Sequence, residues 1–175
     1  MLTIQIDDAG VGDLLHGVVI GAHRKETSEF HYDLIPVRYF QEPDFKQKLY
    51  LKKATEVTLN LLKQMKIQDR EQVEICTSFL FDEARPVLSE QLGEERVRAK
   101  AITGEAQDRV EGAYLDEIRN LGYEPISERD DRRAKSFFHM LRWIKKDRSR
   151  LKYAKTGWPR LKRYMTLVTS SEQQS

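Results

Sequence analysis

Apolar and polar positions in the first forty residues follow a period of two or form short β-rich runs, which predicts three strands. The first covers residues 2–7 and the second residues 17–23. The third covers residues 29–40, where Phe30 and Tyr32 alternate with polar side chains. Because short turns connect them, we expect these strands to pair as antiparallel hairpins.

Helical spacing of apolar residues begins farther along the chain. It predicts helices over residues 45–65, 82–92 and 103–121, separated by short strands at residues 72–79 and 95–102. The predicted order of elements is therefore βββαβαβα. Strands that are joined through a helix lie parallel with a right-handed crossover. We therefore expect an α/β fold in which helices cover the faces of a mixed five-stranded sheet.

Composition narrows the class of protein. A chain of 175 residues with 39% hydrophobic and 33% charged residues is one domain of ordinary size. Its apolar runs are far shorter than the roughly 20 residues of a membrane span, so we expect no membrane partner. A single cysteine, Cys76, excludes an intramolecular disulfide and fits a cytoplasmic protein. The apolar residues around Cys76 favour a buried structural thiol over a nucleophile.

Basic residues are concentrated near the end of the chain. Residues 132–163 hold 13 of the 30 Lys and Arg and only one of the 28 acids, although the net charge is only +2. The pattern over residues 132–150 predicts an amphipathic helix with one side docked on the domain. Its other side carries the cations Arg142, Lys145, Lys146, Arg148 and Arg150. Such cations neutralise phosphates, which indicates nucleic-acid binding. The alternative is a solvated face that balances the acidic remainder of the chain.

These features divide the chain into three parts. Residues 1–125 are predicted to form the α/β domain, and residues 126–168 a basic helical extension. The polar residues 169–175 are predicted to form a flexible tail.

Candidate chemistry lies in residues 6–12, with the sequence IDDAGVG. Asp7 and Asp8 end the first predicted strand, and Gly10, Val11 and Gly12 form a turn whose backbone can approach a ligand closely. Carboxylates beside exposed backbone suit a divalent cation and a phosphate. Neighbouring strand residues point to opposite faces, so both acids reach one pocket only if the strand ends beside them. A hairpin turn with two solvated carboxylates is the alternative.

Residues 6–12, together with the GVVI sequence of residues 17–20, resemble the start of type 2 ribonucleases H. In that family Asp-Glu-Ala-Gly-Arg-Gly precedes a Gly/Pro-Val-Val strand. The predicted order of elements is also that of the ribonuclease H-like superfamily. The resemblance implies that Asp7 and Asp8 are the first two metal-binding acids. It also implies that the backbone of residues 10–12 contacts a nucleic-acid strand.

Three departures indicate a divergent relative. Asp8 stands in place of the family's Glu, and Val11 in place of its Arg. Residues 74–79, with the sequence EICTSF, lack the Asp that the family uses as a third ligand.

The resemblance implies a pair of Mg²⁺ or Mn²⁺ ions and hence further acids. Three acids recur on the helix predicted over residues 103–121: Glu105, Asp108 and Glu111. Glu105 and Asp108 share a face and are the candidates there, although the helix dipole or a nearby Arg also explains them. Glu56 lies in the first long helix, where type 1 relatives place a catalytic Glu. Asp82 is more simply the N-cap of the second helix.

Two functions follow from these residues. The first is a nuclease that depends on Mg²⁺ or Mn²⁺, uses Asp7, Asp8, Glu105 and Asp108, and acts on RNA, RNA–DNA hybrid or structured DNA. The second is a non-catalytic nucleic-acid-binding protein with the same fold. The chain contains no P-loop, no Ser-His-Asp candidate and no complete dinucleotide fingerprint, so we expect no small organic cofactor.

Overall fold

The computed structural model describes residues 1–127, 133–159 and 163–164. Its centre is a five-stranded sheet in the order β3-β2-β1-β4-β5. The first three strands are antiparallel, and β4 and β5 run parallel to β1. The strands are β1 (Thr3–Ala9), β2 (Val18–Arg24), β3 (Phe30–Ile35), β4 (Gln72–Ile75) and β5 (Val97–Ala99). The predicted mixed sheet is therefore confirmed.

Helices cover both faces of this sheet. They are α1 (Leu49–Gln64), α2 (Ala84–Leu92), α3 (Glu105–Asn120) and α4 (Arg133–Lys146). The alternation along β1 separates two cores. Ile4 and Ile6 belong to the core under α1 and α2, and Ala9 belongs to the core under α3 and α4. No helix in the described part of the chain is long and apolar enough to cross a membrane.

Three predicted strands extended too far, and the one predicted over residues 95–102 is formed only over Val97–Ala99. β3 ends at Ile35, because Pro36 has no N–H to donate, and Val37–Phe40 forms a 3-10 helix that buries Phe40. β4 ends at Ile75, and Phe79–Phe81 turns into another 3-10 helix. In both places a 3-10 turn rather than a strand buries an aromatic residue, which is Phe40 in the first turn and Phe81 in the second.

Asp82 does not cap the second helix. The helix α2 begins at Ala84, and its N-cap position, Glu83, makes no side-chain capping hydrogen bond. Asp82 instead forms an ion pair with Arg85, whose guanidinium also donates to the carbonyl of Cys76 at 2.9 Å. The prediction of an Asp82 cap was therefore wrong.

The basic helix is shorter than predicted. It ends at Lys146, because the Asp147 side chain accepts the backbone N–H of Ser149 at 3.0 Å and caps a separate 3-10 helix over Arg148–Tyr153. The apolar side of α4 packs on α3 in one core, through Met140, Leu141 and Ile144 among others. The predicted docking of this helix is therefore present.

Residues 153–157, which we call the return segment, lie against the loop that follows β1. The backbone N–H of His16 donates to the Tyr153 carbonyl at 2.6 Å, and that of Lys155 donates to Leu14 at 2.9 Å. The Lys155 ammonium is fully buried. It donates to the carbonyls of Asp13 and Leu15 at 2.9 and 3.0 Å. The return segment therefore fixes this loop.

The predicted tail at residues 169–175 lies outside the described residues. The predicted boundary between residues 125 and 126 stays a prediction, although α4 shares its core with the sheet.

Candidate metal centre

The candidate site lies where two parallel strands end side by side. Ile6 of β1 pairs with Ile75 of β4, and the Cys76 N–H donates to the Ile6 carbonyl at 2.9 Å. Asp7 and Cys76 therefore occupy neighbouring positions at the same level of the sheet. β1 continues beyond its predicted end at residue 7 as far as Ala9, paired only with β2. The two acids therefore approach one another although the strand does not end beside them. The carboxyl ends of parallel strands are common ligand sites in open α/β sheets.

Three potential ligands converge at this position. A carboxylate oxygen of Asp7, a carboxylate oxygen of Asp8 and the Sγ atom of Cys76 all lie within 4.8 Å of one another. Asp7 is only 7% exposed, and the other two side chains are partly buried. Among the described residues, this is the one group of three such side chains close enough to share an ion.

The electrostatics of the group favour a bound cation. Burial raises the pKa of Asp7. Burial, followed by the neighbouring Asp7 charge, raises the pKa of Asp8 to about 7. Burial also raises the pKa of the Cys76 thiol to about 12. Each shift shows that negative charge is poorly solvated here, and a dication would relieve that cost.

An open cleft of about 530 Å³ surrounds the group. Its walls come from the end of β1, the loop after it, the end of β4, α3 and α4. The predicted residues that line it are Asp7, Asp8, Gly10, Val11, Gly12 and Asp108. The structure therefore brings together acids that are a hundred residues apart in the sequence.

Glu111 and Ser136 also line the cleft, and the set of candidate residues drawn from the sequence did not include them. The charge of Glu111 contributes to the raised pKa of both Asp7 and Asp8, so it faces the pair. Its signal was its place three residues after Asp108 on one helix face. Ser136 is buried in α4, and no sequence feature indicated its position.

Two other predicted acids do not reach the cleft. Glu105 is 48% exposed and accepts hydrogen bonds from Ser28 and Arg109, both at 3.2 Å. It lies beside the hairpin of β2 and β3. Glu56 is 56% exposed and pairs with Lys53 at 3.0 Å on the outer side of α1. The structure therefore does not group either acid with Asp7.

The glycine turn has a tight inner position and an open outer one. Gly10 has φ of 98°, and a Cβ atom there would lie 2.4 Å from the ring of Tyr114. The Tyr114 hydroxyl donates to the Leu15 carbonyl at 2.8 Å, which holds the ring against the loop. Gly12 is exposed, with open space where its Cβ would be. The turn is therefore anchored on α3 while its backbone remains accessible from the cleft.

The predicted cations of the extension differ in their surroundings. The exposed ones are Arg142, Lys145, Lys146 and Arg148. Arg150 is engaged within the protein, because its guanidinium lies 4.1 Å from the centre of the Trp143 ring and donates to the Trp143 carbonyl at 2.7 Å. Four of the five cations are therefore exposed at the surface.

Two solved structures are similar to this chain. One is a crystal structure of a mutant of Bst-RNase HIII, with a TM-score of 0.60, covering 95% of this chain and 70% of that one. The other is Bst-RNase HIII in complex with Mn²⁺, with a TM-score of 0.57, covering 96% and 70%. Both are 14% identical in sequence to this chain. No protein-family model matches the chain, and no curated protein matches it. The similarity establishes a ribonuclease H-like fold, as the first residues of the chain predicted.

Proposed function

We propose that this chain is a divalent-metal-dependent nuclease of ribonuclease H-like type, which hydrolyses RNA, RNA–DNA hybrid or structured DNA. The observation that carries the proposal is the cleft in which buried Asp7 and partly buried Asp8 face Asp108 and Glu111 beside a glycine turn. The ribonuclease H-like fold supports it. So does the presence of Mn²⁺ in one of the similar structures.

The donor set fits a divalent cation. Carboxylate oxygens are the ligands that Mg²⁺ and Mn²⁺ prefer. Asp7 and Asp8 would hold the ion, and Asp108 and Glu111 line the same cleft. When bound, the ion supplies the Lewis acid that polarises a phosphodiester. Asp108 is exposed in this cleft, where it would be placed to accept a proton from an attacking water.

We expect a bound nucleic-acid strand to lie along α4. Ser136 lies in the cleft wall, and Arg142 and Lys146 come six and ten residues later on the same helix. At 1.5 Å per residue, these cations lie about 9 and 15 Å along the helix axis from the cleft. A nucleic-acid strand rises about 3.4 Å per nucleotide, so this distance corresponds to about three to four nucleotides. Their cationic side chains pair with the phosphates of a strand that enters the cleft.

Cleavage assays with an isosteric variant test the proposal. Wild type and Asp7→Asn are incubated in Mg²⁺ or Mn²⁺ with single-stranded RNA, RNA–DNA hybrid, duplex DNA and a four-way junction. Wild type is expected to cut at least one of these, and Asp7→Asn to cut it at least about 100-fold more slowly. The matched control is Glu90→Gln, an exposed acid on α2, which should retain the wild-type rate.

The opposite result has a clear meaning. If wild type cuts none of the substrates with Mg²⁺ or Mn²⁺, nor with Zn²⁺ or Co²⁺, the nuclease proposal is wrong. Salt-sensitive binding of the same substrates without cleavage would then favour the non-catalytic nucleic-acid-binding protein. Equal cleavage by wild type and Asp7→Asn would show a contaminating activity.

A further inference from the structure

Cys76 lines the cleft at the edge of the core under α1 and α2. The pairing of Ile6 with Ile75 fixes the two strand ends, and the Cys76 N–H bonded to the Ile6 carbonyl fixes the next residue. The Sγ atom consequently lies within 4.8 Å of carboxylate oxygens of both Asp7 and Asp8. Backbone register places residues 7 and 76 side by side, and their side-chain rotamers bring the three ligand atoms together.

We propose that the Cys76 sulfur is a direct ligand of the cleft's cation, and that it makes the site prefer thiophilic ions such as Zn²⁺ and Co²⁺ over Mg²⁺. This inference rests on the metal site of the proposed function but not on cleavage. It names the class of cofactor that the site takes.

The chemistry of the donors sets this preference. Mg²⁺ requires hard oxygen ligands in near-octahedral geometry, and a sulfur in its first coordination sphere is a poor partner. Zn²⁺ and Co²⁺ accept carboxylate, thiolate and water together. Two carboxylates and one thiolate leave one position of a tetrahedral site open. Such an open position is typical of zinc ions that act in catalysis.

Binding of the ion by the sulfur requires the thiol to lose its proton. When the ion binds, the S–H bond breaks, the proton passes to solvent and the sulfur lone pair binds the metal. No electron is transferred, so the step needs no oxidant or reductant. The group then carries three negative charges from Asp7, Asp8 and Cys76 against one dication. Water on the open side of the cleft solvates the one excess negative charge.

The competing interpretation is that the thiol has a structural role and does not bind the ion. The Cys76 thiol is close enough to Asp7 and Asp8 to lower the pKa of both carboxyls by donating to them. A hydrogen-bond donor of this kind would also steady the two acids, with no contact to an ion. Serine would serve that purpose nearly as well as cysteine, which separates the two interpretations.

Titration of the full chain with Co²⁺ tests the proposal directly. Co²⁺ bound to a thiolate gives a charge-transfer band in the near ultraviolet, which oxygen and nitrogen ligands do not give. Because Cys76 is the only cysteine in the sequence, any such band belongs to it. Wild type is expected to show the band at one equivalent of Co²⁺, and Asp7→Asn to lose it while retaining the thiol. Excess Zn²⁺ should remove the band by displacing Co²⁺, and excess Mg²⁺ should not.

Two substitutions at the same position measure selectivity. Cys76→Ser should weaken Zn²⁺ binding at least tenfold and leave Mg²⁺ binding within about threefold of wild type. Cys76→Asp should lose the band and bind Mg²⁺ about tenfold more tightly. Glu90→Gln should behave as wild type in all of these titrations.

The wild-type spectrum tests whether the Cys76 sulfur binds the ion even if a variant fails to fold. Absence of the band at saturating Co²⁺, or an unchanged band in Asp7→Asn, overturns the proposal. Cleavage without a band would reject the sulfur ligand and keep the nuclease. A band without cleavage would keep the ligand and reject the nuclease.

Discussion

Replacing Asp8 by Asn should stabilise the protein when no cation is bound. The substitution keeps the size of the side chain and removes one of two adjacent negative charges. Asp8 has its pKa raised from 3.8 to about 7, first because it is buried and second because Asp7 lies beside it. At pH 8 the cation-free folded protein therefore carries a charge that the unfolded chain solvates much better.

The size of the effect follows from this pKa. A tenfold change in an equilibrium corresponds to about 1.4 kcal/mol. The raised pKa of Asp8 therefore sets an upper limit of about 4 kcal/mol on the gain in unfolding free energy at pH 8. Water in the open cleft screens the pair and reduces the expected gain in unfolding free energy to about 2 kcal/mol. Because the pKa of Asp8 is higher in the folded protein than in the unfolded chain, its contribution to the unfolding free energy of wild type is most favourable below about pH 3.8. That contribution is lost as the pH rises toward 7. The advantage of Asp8→Asn should therefore be full at pH 8 and small near pH 4.

Urea unfolding in EDTA at pH 8 and pH 4.5, followed by circular dichroism, measures this difference. In thermal unfolding about 2 kcal/mol corresponds to roughly 4–8 °C for a chain of this length. A divalent cation should reverse the order. At a concentration of 100 times its dissociation constant, the cation adds about 2.7 kcal/mol to the unfolding free energy of wild type. Asp8→Asn, which lacks a ligand, should gain much less.

The control is Asp69→Asn, which removes an exposed loop carboxylate and should change the unfolding free energy by less than about 0.5 kcal/mol. The reasoning is refuted if Asp8→Asn is no more stable than wild type in EDTA at pH 8. It is also refuted if the gain is as large at pH 4.5, because a charge effect must disappear when the carboxyl is protonated.

Three further results are expected. Gly10→Ala should lower the unfolding free energy by about 2–4 kcal/mol, because the residue has a positive φ and its Cβ would overlap an aromatic ring. Gly12→Ala, with open space around it, is the matched control and should be nearly neutral. Lys155→Met should cost about 1–3 kcal/mol in urea unfolding, because the Asp13 carbonyl loses the Lys155 donor and the Leu15 carbonyl keeps only Tyr114. Arg142→Gln with Lys146→Gln should reduce the slope of log binding constant against log salt by about 1–2 for a labelled single strand.

Exposed positions supply the remaining controls. Lys52 is exposed on α1, so Lys52→Met should leave stability unchanged and Lys52→Gln should leave the salt slope unchanged. Equal stability of Gly10→Ala and Gly12→Ala would contradict the tight packing of the turn. A stable Lys155→Met would show that water satisfies the loop carbonyls, and an unchanged salt slope would exclude α4 from phosphate contact.

The sheet and its helices were predictable because their patterns are local. Period-two and helical spacing identified every strand and helix of the sheet domain, and the connection lengths gave the strand directions. The errors fall where the same aromatic residues suit a strand or a buried 3-10 turn. Phe40 and Phe81 are both fully buried from such turns. Hydrophobic pattern alone does not distinguish these two ways of burying a ring.

The site was predictable only in part, because its members come from separate elements. Asp7 and Asp8 were found from their position at a strand end, and Asp108 from its place on the last helix of the domain. Glu105 shares that helix, but a contact with the hairpin of β2 and β3 holds it outside the cleft. Cys76 appeared to be an ordinary buried thiol, since only the register of β4 against β1 brings it to the acids.

The return segment also sets an order of events during synthesis. The loop beside the acids is fixed by Lys155, which bonds to the Asp13 carbonyl 142 residues earlier in the chain. At a translation rate of 5–20 residues per second, this partner emerges roughly 7–28 s after the loop. The sheet can pair during that interval, while the cleft still lacks both its clamp and the wall from α4. A ribosome-bound chain that stops before residue 153 is therefore expected to hold the acids without an organised cleft.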